Sequence, residues 1–452
     1  MPRFKIELTD DFISSNSGWV FVGEALHHLG FNKQLSELDC IKAMRKIPSL
    51  DILRAYLGIL CIGKNDFESI GDYKEDPYFR KSLGLQYIPS KETLRQRLEE
   101  LSVRELEESL GRFNTTMLKR FADFETALDT DMIPVDFDVT PMDNSNSKKE
   151  GVSNTYKQVA GYAPMMTYIG GTGYMLNNQL REGKAHSNCE GTKEYIHRTL
   201  SLARSITPAP LLARFDSGND SAENILAVNE FKNAHYLIKQ NFRREDRTPY
   251  MHFARMNASK TEKPRAGKTV FYASRKIALR FEQADGQEKT VETRQVLRFI
   301  ERTIDKQGYG LLIPEHELDA WFTDLPDTYT DQKVIALYAD HGTSEQFHSE
   351  FKTDMDMERL PSGKFATNSL VMIMGMLAFN LLRIMGQQSL KTGLLRRKRR
   401  VQRIRIRTVL QELMYMACHF MIRCRQKVIK LARVNTRAMP LIQAYQLMFS
   451  TV

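Results

Sequence analysis

Ile133-Pro134-Val135-Asp136-Phe137-Asp138-Val139-Thr140 (IPVDFDVT) is the stretch whose reading decides the fold. Apolar and polar residues alternate, the pattern of a half-buried β-strand. Successive strand side chains point to opposite faces, so Val135, Phe137 and Val139 share one face and Asp136 and Asp138 the other. Strand-like runs follow at 159–168 and 174–180, separated by Gly170, Gly171 and Gly173. Residues 194–203 predict a helix, and 210–215 a short apolar strand ending in Asp216-Ser217-Gly218. Residues 221–234 predict a helix and 235–239 a strand. Strands first, then alternating strand and helix, predict a mixed α/β core.

On the N-terminal side, residues 1–125 read as helical, with helices over 19–29, 49–62 and 90–113. Ser90 after Pro89 is an N-cap candidate, with Glu92 in the first turn. Lys91, Arg95 and Arg97 then lie near a helix start, where a charged outer face or a DNA-reading helix is expected. On the C-terminal side, residues 242–335 carry strand patterns at 269–272, 277–282, 295–300 and 310–313, joined by charged connections. They predict a β-rich insertion. The core resumes with a strand at 334–338, a helix near 345–352 and a long apolar helix over 364–385. A final amphipathic helix is expected over 408–433. The division is thus 1–125, a core of 126–241 with 336–390, an insertion of 242–335, and a basic helical region of 391–452.

Charge is informative once localised. The chain has 65 Lys and Arg against 55 Asp and Glu. Residues 391–452 alone hold 15 Lys and Arg and one acid, Glu412. The remaining 50 basic and 54 acidic residues leave a slightly acidic body. A basic segment of this density, richest in Arg396, Arg397, Lys398, Arg399, Arg400, Arg403, Arg405 and Arg407, points to a polyanion, most simply nucleic acid. The most apolar run, 370–379, stops at Asn380, about half the roughly 20 residues that span a bilayer. The five scattered cysteines suit a reducing compartment and not a disulfide framework. No secretory signal pattern is expected in residues 1–30, which carry Asp10, Asp11 and Glu24. These features point to a cytoplasmic protein outside the membrane.

Three acidic contexts carry the chemistry. The first is Asp136-Phe137-Asp138-Val139-Thr140. The second is Arg214-Phe215-Asp216-Ser217-Gly218, where the carboxylate ends a strand, the place where ligands collect in open α/β sheets. The third is Tyr338-Ala339-Asp340-His341-Gly342-Thr343-Ser344-Glu345, continuing to Lys352. His341, Glu345, His348 and Lys352 fall on one helical face. Carboxylates gathered from separate segments repel unless a hard divalent cation joins them, and two such ions suit phosphoryl transfer.

With these residues the chain resembles a DDE transposase of bacterial insertion sequences, in the insertion sequence four superfamily and its thirteen-eighty group. Ser17-Gly18-Trp19, the segment from Gly63-Lys64-Asn65-Asp66 to Asp76-Pro77, and Leu180-Arg181-Glu182-Gly183-Lys184-Ala185-His186-Ser187 carry the likeness along nearly the whole length. The family's first aspartate stands two residues before Thr, as Asp138 does before Thr140. Its second lies in an Arg-x-Asp-x-Gly setting, matched by Asp216. Its third acid lies in a Tyr, Arg, Glu, Lys signature that Tyr338, Glu345 and Lys352 match in spacing, with His341 at the Arg position.

The resemblance implies an RNase H-like core interrupted between the second Asp and the Glu. It implies cut-and-paste transposition: cleavage at inverted-repeat ends, then joining of 3′-OH ends to target DNA. Asp138, Asp216 and Glu345 would be the catalytic metal ligands of two Mg²⁺, with Mn²⁺ able to substitute. Tyr338, His341 and Lys352 would contact DNA, and two protomers would act in a paired-end complex on double-stranded DNA in a bacterial cytoplasm, at the nucleoid. Two other classes stay open: a metal-dependent nuclease that does not join, and a catalytically inactive DNA-binding regulator. Asp136 shares a face with Asp138, and Glu350 competes with Glu345, although five residues on a helix fall about 140° off its face. Cys418-His419 with Cys424 lacks a second pair for zinc and reads as packing on the final helix. Gly170-Gly171-Thr172-Gly173 reads as a hairpin turn, Met372, Met374 and Met376 as core, and His27-His28 as a pair without a metal partner.

Overall fold

The computed structural model describes residues 8–282, 288–395 and 401–449. At its centre the Ile133–Val139 strand pairs antiparallel with Met165–Ile169, which pairs antiparallel with Tyr174–Gln179. On its other side it pairs parallel with Leu211–Phe215, itself parallel to Ala234–Lys239. Numbered along the chain, these five strands lie in the order 3-2-1-4-5. This mixed sheet is the arrangement expected of an RNase H-like core.

The sheet does not stop there. Trp321, Phe322 and Thr323 pair with Lys239, Ile238 and Leu237, so the Gly310–Thr323 strand continues it. Glu288–Ile304, Lys268–Glu282 and Lys260–Arg265 follow outward, giving nine strands among the described residues. The expected β-rich insertion is therefore an extension of the core sheet. The expected strands at 269–272 and 277–282 are one strand, Lys268–Glu282. A helix, Thr248–Met256, precedes them.

The N-terminal part is helical as expected, but 90–113 is two helices, Lys91–Leu101 and Arg104–Phe121. Ser90 does cap the first: its Oγ accepts from Thr93 N at 3.2 Å. The break at Ser102-Val103 lets Ser102 Oγ donate back to Leu98 O at 2.6 Å while Val103 turns extended. Both helices pack their leucines on the long helix Phe365–Lys391, which also covers the Tyr174–Gln179 strand. That helix is long and apolar enough to cross a membrane by length and composition, and it is mostly buried inside the fold. Asn380, which interrupts its apolar run, is fully satisfied there. It donates to Asn114 Oδ1 and Met175 O, each at 2.7 Å, and accepts from Met175 N at 2.9 Å.

Two expectations fail outright. Residues 334–338 are not a strand; they lie in the helix Asp331–Ala339, capped by Thr330, whose Oγ1 accepts from Lys333 N at 3.3 Å. A five-residue apolar run fits a buried strand and a buried helix turn equally well, and the cap decides. Nor is 408–433 one helix. A short helical segment reaches Met414, and then Cys418–Arg423 and Gln426–Leu431 form a hairpin against Phe12–Ser14 near the N-terminus. Cys424 and Arg425 make its two-residue turn with φ of 46° and 67°. Such turns favour Asn-Gly, so Cys-Arg gave no signal. Cys418 and His419 thus sit on a strand, and the basic C-terminal region is only partly helical.

Candidate active site

Residues 331–354 form a nearly continuous helical rod in four pieces: Asp331–Ala339, a 3₁₀ turn Asp340–Thr343, Ser344–Ser349, and a π turn Glu350–Asp354. The rod lies across the ends of the two central parallel strands. Gly173 makes this approach possible. Its φ is 70°, and a Cβ there would meet the Phe347 ring at 2.3 Å.

The strand register sets the first two acids. Phe137 pairs with Phe215, so Asp138 and Asp216 emerge side by side one residue further on. Glu345 comes from the rod. All three line one cavity of about 630 Å³, together with Tyr338, His341, His348 and Lys352. The helical face expected from sequence, His341, Glu345, His348 and Lys352, is therefore assembled.

Electrostatics distinguishes the acids. Burial works to raise the Asp138 carboxyl, but the hydrogen bond and charge of His348 outweigh it and hold it low. His348 Nε2 lies 3.0 Å from Asp138 Oδ2, and its Nδ1 meets the Tyr168 hydroxyl at 3.2 Å. Asp216 forms no such ion pair among the described residues. Burial and then the Asp138 charge push its carboxyl up, only partly offset by Asn219 Nδ2 at 2.7 Å and by the charge of His341. Tyr156, from the turn overhanging the cavity, reports on all three. Its phenol is pushed up to about 12 by burial first, then by the charges of Asp138, Asp216 and Glu345.

Asp136 points into a different network. Arg214, its ladder partner, meets both its oxygens: Nε to Oδ1 at 2.5 Å and Nη2 to Oδ2 at 2.8 Å. Arg214 Nη1 continues to Leu337 O at 2.7 Å and Asp340 Oδ2 at 2.9 Å, on the rod. His341 Nδ1 donates to Asp136 Oδ1 at 3.0 Å. Burial would raise the Asp136 carboxyl, but Arg214 and His341 bring it down to about 2. One buried guanidinium thus ties together the strands of Asp138 and Asp216 and the rod of Glu345. Sequence reasoning missed Arg214 and Asp340; the signal was Arg214 two residues before Asp216, matching Asp136 two before Asp138.

Several expectations change. His341 is buried at the cavity wall, and its Nδ1 is paired with Asp136. Lys352 Nζ donates to Pro141 O at 2.5 Å and pairs with Glu358 at 3.0 Å, at the cavity wall. Glu350 is buried: it pairs with Arg383 at 3.0 Å and with Arg403, and accepts from Ile406 N at 2.9 Å. Arg405 and Arg407 pair with Asp354 at 2.7 and 3.3 Å. This part of the basic segment is thus anchored to the rod, with the Arg405 and Arg407 side chains still about half exposed. Arg97 is buried too, donating to Ser49 Oγ at 2.7 Å and Glu100 at 2.6 Å. Lys91 and Arg95 are exposed, in surface pairs with Glu68 and Glu99. Arg396, Arg397, Lys398, Arg399 and Arg400 lie outside the described residues.

Among the described residues, no three His, Cys, Asp or Glu side chains close into a metal cage. The donor set nonetheless fits a hard cation. It is carboxylate oxygen, and the charge of Asp138 and burial together raise the Asp216 carboxyl more than Asn219 and His341 lower it. Mg²⁺ is usually held by one or two carboxylates plus substrate phosphates, and not by an all-protein cage.

A mixed sheet with carboxylates converging at its parallel strand ends defines a class of phosphoryl-transfer enzymes. The chain belongs to the family Transposase DDE domain group 1, whose pattern matches residues 2–449, and it is a DDE transposase. Transposases of this kind work with divalent metal ions. No curated protein matches the chain. Among solved structures, the cryo-EM structure of a piggyBac transposase synaptic complex with hairpin DNA is similar over 88% of this chain and 76% of that one. The identity is 12% and the TM-score 0.36.

Proposed function

We propose that this transposase cuts DNA at the inverted-repeat ends of a bacterial insertion sequence of the thirteen-eighty group and joins the 3′-OH ends to target DNA. The observation that carries the reading is the convergence of Asp138, Asp216 and Glu345, from three separate segments, on one cavity. Asp138, Asp216 and Glu345 would hold two Mg²⁺, or Mn²⁺ in its place. When bound, such ions supply Lewis acidity to the attacking and leaving oxygens of the phosphodiester. The protein's own groups do the rest. His348 fixes the Asp138 carboxylate, and Arg214 holds the register of the strands. Lys352 and Tyr338 line the cavity beside the scissile phosphate.

The helical segment 1–125 and the basic region 391–452 grip the ends. Lys91 and Arg95 are exposed, and surface ion pairs are worth about 0–1 kcal/mol, so phosphates can displace their partners. Two protomers act in a paired-end complex at the nucleoid. The test is a reaction of purified protein with a plasmid carrying the sequences that flank the gene, plus Mg²⁺ and a target plasmid. Release of the fragment and its joining to the target are expected. Cleavage without joined product would make the protein a nuclease, and no Mg²⁺-dependent cleavage would make it a DNA-binding regulator.

A further inference from the structure

We propose that Tyr156 and Lys157 form a substrate clamp over the cavity, the Tyr156 ring stacking on the DNA base next to the scissile phosphate and the Lys157 ammonium pairing with the adjoining phosphate. The proposal rests on the transposase reading above and adds to it two substrate-contacting residues. Both side chains line the cavity that holds Asp138, Asp216 and Glu345.

The turn that presents them is built firmly. Thr155 is buried; its N donates to Val159 O at 2.9 Å, and its Oγ1 to the same oxygen at 3.0 Å. Gln158 N donates to Thr155 O at 2.8 Å, with Gln158 at a φ of 58°. A left-handed non-glycine residue stores strain that the surrounding structure must hold. Tyr156 is then fixed at one end and open along its face. Its hydroxyl lies 3.4 Å from Val139 O, one residue past Asp138, while 56% of the residue stays exposed. The open ring presents a flat face at the mouth of the acidic cavity, and every nucleobase offers a matching π-face on which it can stack. The phenol, pushed up to about 12, keeps its proton at neutral pH and so adds no further negative charge.

Charge assigns the partner of Lys157. The phosphate next to the scissile one lacks a free cation in Lys352, which is tied to Pro141 and Glu358. Lys157 is exposed and has no carboxylate at ion-pair distance among the described residues; its ammonium lies 5.9 Å from the Tyr156 ring centre. Base and phosphate of one nucleotide would therefore meet neighbouring side chains.

The experiment uses the full-length protein and a pre-cleaved end duplex with 5-iodouracil at the terminal position. Irradiation should crosslink the DNA to a peptide containing Tyr156. Tyr156→Phe should bind within about 2-fold of wild type. Tyr156→Leu should bind about 5- to 100-fold more weakly, the range expected for loss of one base stack. Lys157→Ala should flatten the slope of log K against log salt by about 0.7 to 0.9. A crosslink mapping to Tyr338 or another residue, or unchanged binding in Tyr156→Leu, would overturn the clamp. If wild-type protein neither binds nor cleaves the ends, the transposase reading fails first; if it does both and the variants behave as wild type, only the clamp fails.

Discussion

Asp136 and Arg214 face each other across adjacent parallel strands, and both oxygens of the one are held by two nitrogens of the other at 2.5 and 2.8 Å. Each lies two residues before a cavity acid, Asp138 and Asp216. The pair therefore fixes the offset that sets those acids side by side, and through Leu337 and Asp340 it also fixes the rod that carries Glu345.

Breaking this pair leaves a buried charge alone, which typically costs about 3–5 kcal/mol. Asp136→Asn and Arg214→Gln should each lower the melting temperature sharply. The double variant Asp136→Leu with Arg214→Met should recover much of that loss, because no unpaired charge remains. Thermal melts of the four proteins measure this; a double variant no more stable than the singles would show that the pair is not the source of the loss.

Asp216 should behave in the opposite way. Its carboxyl sits above the ordinary value because of burial and the Asp138 charge, so the native state binds its proton more tightly than the unfolded state. Stability then falls as pH rises through that window, and above it the charged carboxylate is a constant cost. Without divalent ions at pH 7, Asp216→Asn should melt slightly higher than wild type, and the gain should vanish in acid below the ordinary Asp value of about 3.9. Added Mn²⁺ should raise the melting temperature of wild type much more than that of the variant. An Asp216→Asn protein that melts lower at pH 7 without metal would contradict the repulsion.

His341 gives a pH dependence of its own. Burial would lower its value, but the charge and hydrogen bond of Asp136 raise it overall. A raised histidine contributes stability that is fully present below the unfolded value of about 6.5 and is lost as pH rises through the folded value. Wild type should therefore exceed His341→Gln in melting temperature most clearly near pH 6, and the gap should narrow in alkaline buffer. A gap independent of pH would mean that the imidazole is neutral throughout.

Glu345 and Glu350 should separate by phenotype. Glu350 is buried between Arg383 and Arg403, whereas Glu345 is exposed at the cavity. Glu350→Gln should destabilise by about 3–5 kcal/mol, since two arginines lose their counter-charge. Glu345→Gln should leave the melting temperature within about 1 °C, surface changes being worth about ±0.5 kcal/mol. Melting curves of both variants decide it; equal losses would remove the distinction.

The sequence made the strand of Asp136 and Asp138 legible because alternation over seven residues has few other readings. It made Asp216 legible because a short apolar strand stops at it. It could not reveal which of Asp136 and Asp138 faces the cavity, since both share a sheet face and only the third dimension supplies Arg214. The 334–338 helix was hidden by a run too short for its period to show. The 418–431 hairpin was hidden because its turn uses Cys424 and Arg425, residues that rarely adopt left-handed backbone. Arg97 looked like Arg95 in a basic helix, yet one is buried on Ser49 and the other exposed beside Glu99. Composition says nothing about which face of a helix meets its neighbour. Likewise nothing in the run of Arg403, Arg405 and Arg407 showed that each pairs with a buried acid, Glu350 or Asp354.

The most direct measurement compares Mg²⁺-dependent cleavage of end DNA by wild type, Asp138→Asn, Asp216→Asn and Glu345→Gln, with DNA affinity measured alongside. Groups that act as one catalytic unit each cost about 10³-fold or more when removed singly. All three variants should therefore lose cleavage by at least that factor while binding DNA within about 2-fold of wild type. Near wild-type cleavage by any one of the three would contradict the assignment of Asp138, Asp216 and Glu345 as a single catalytic site.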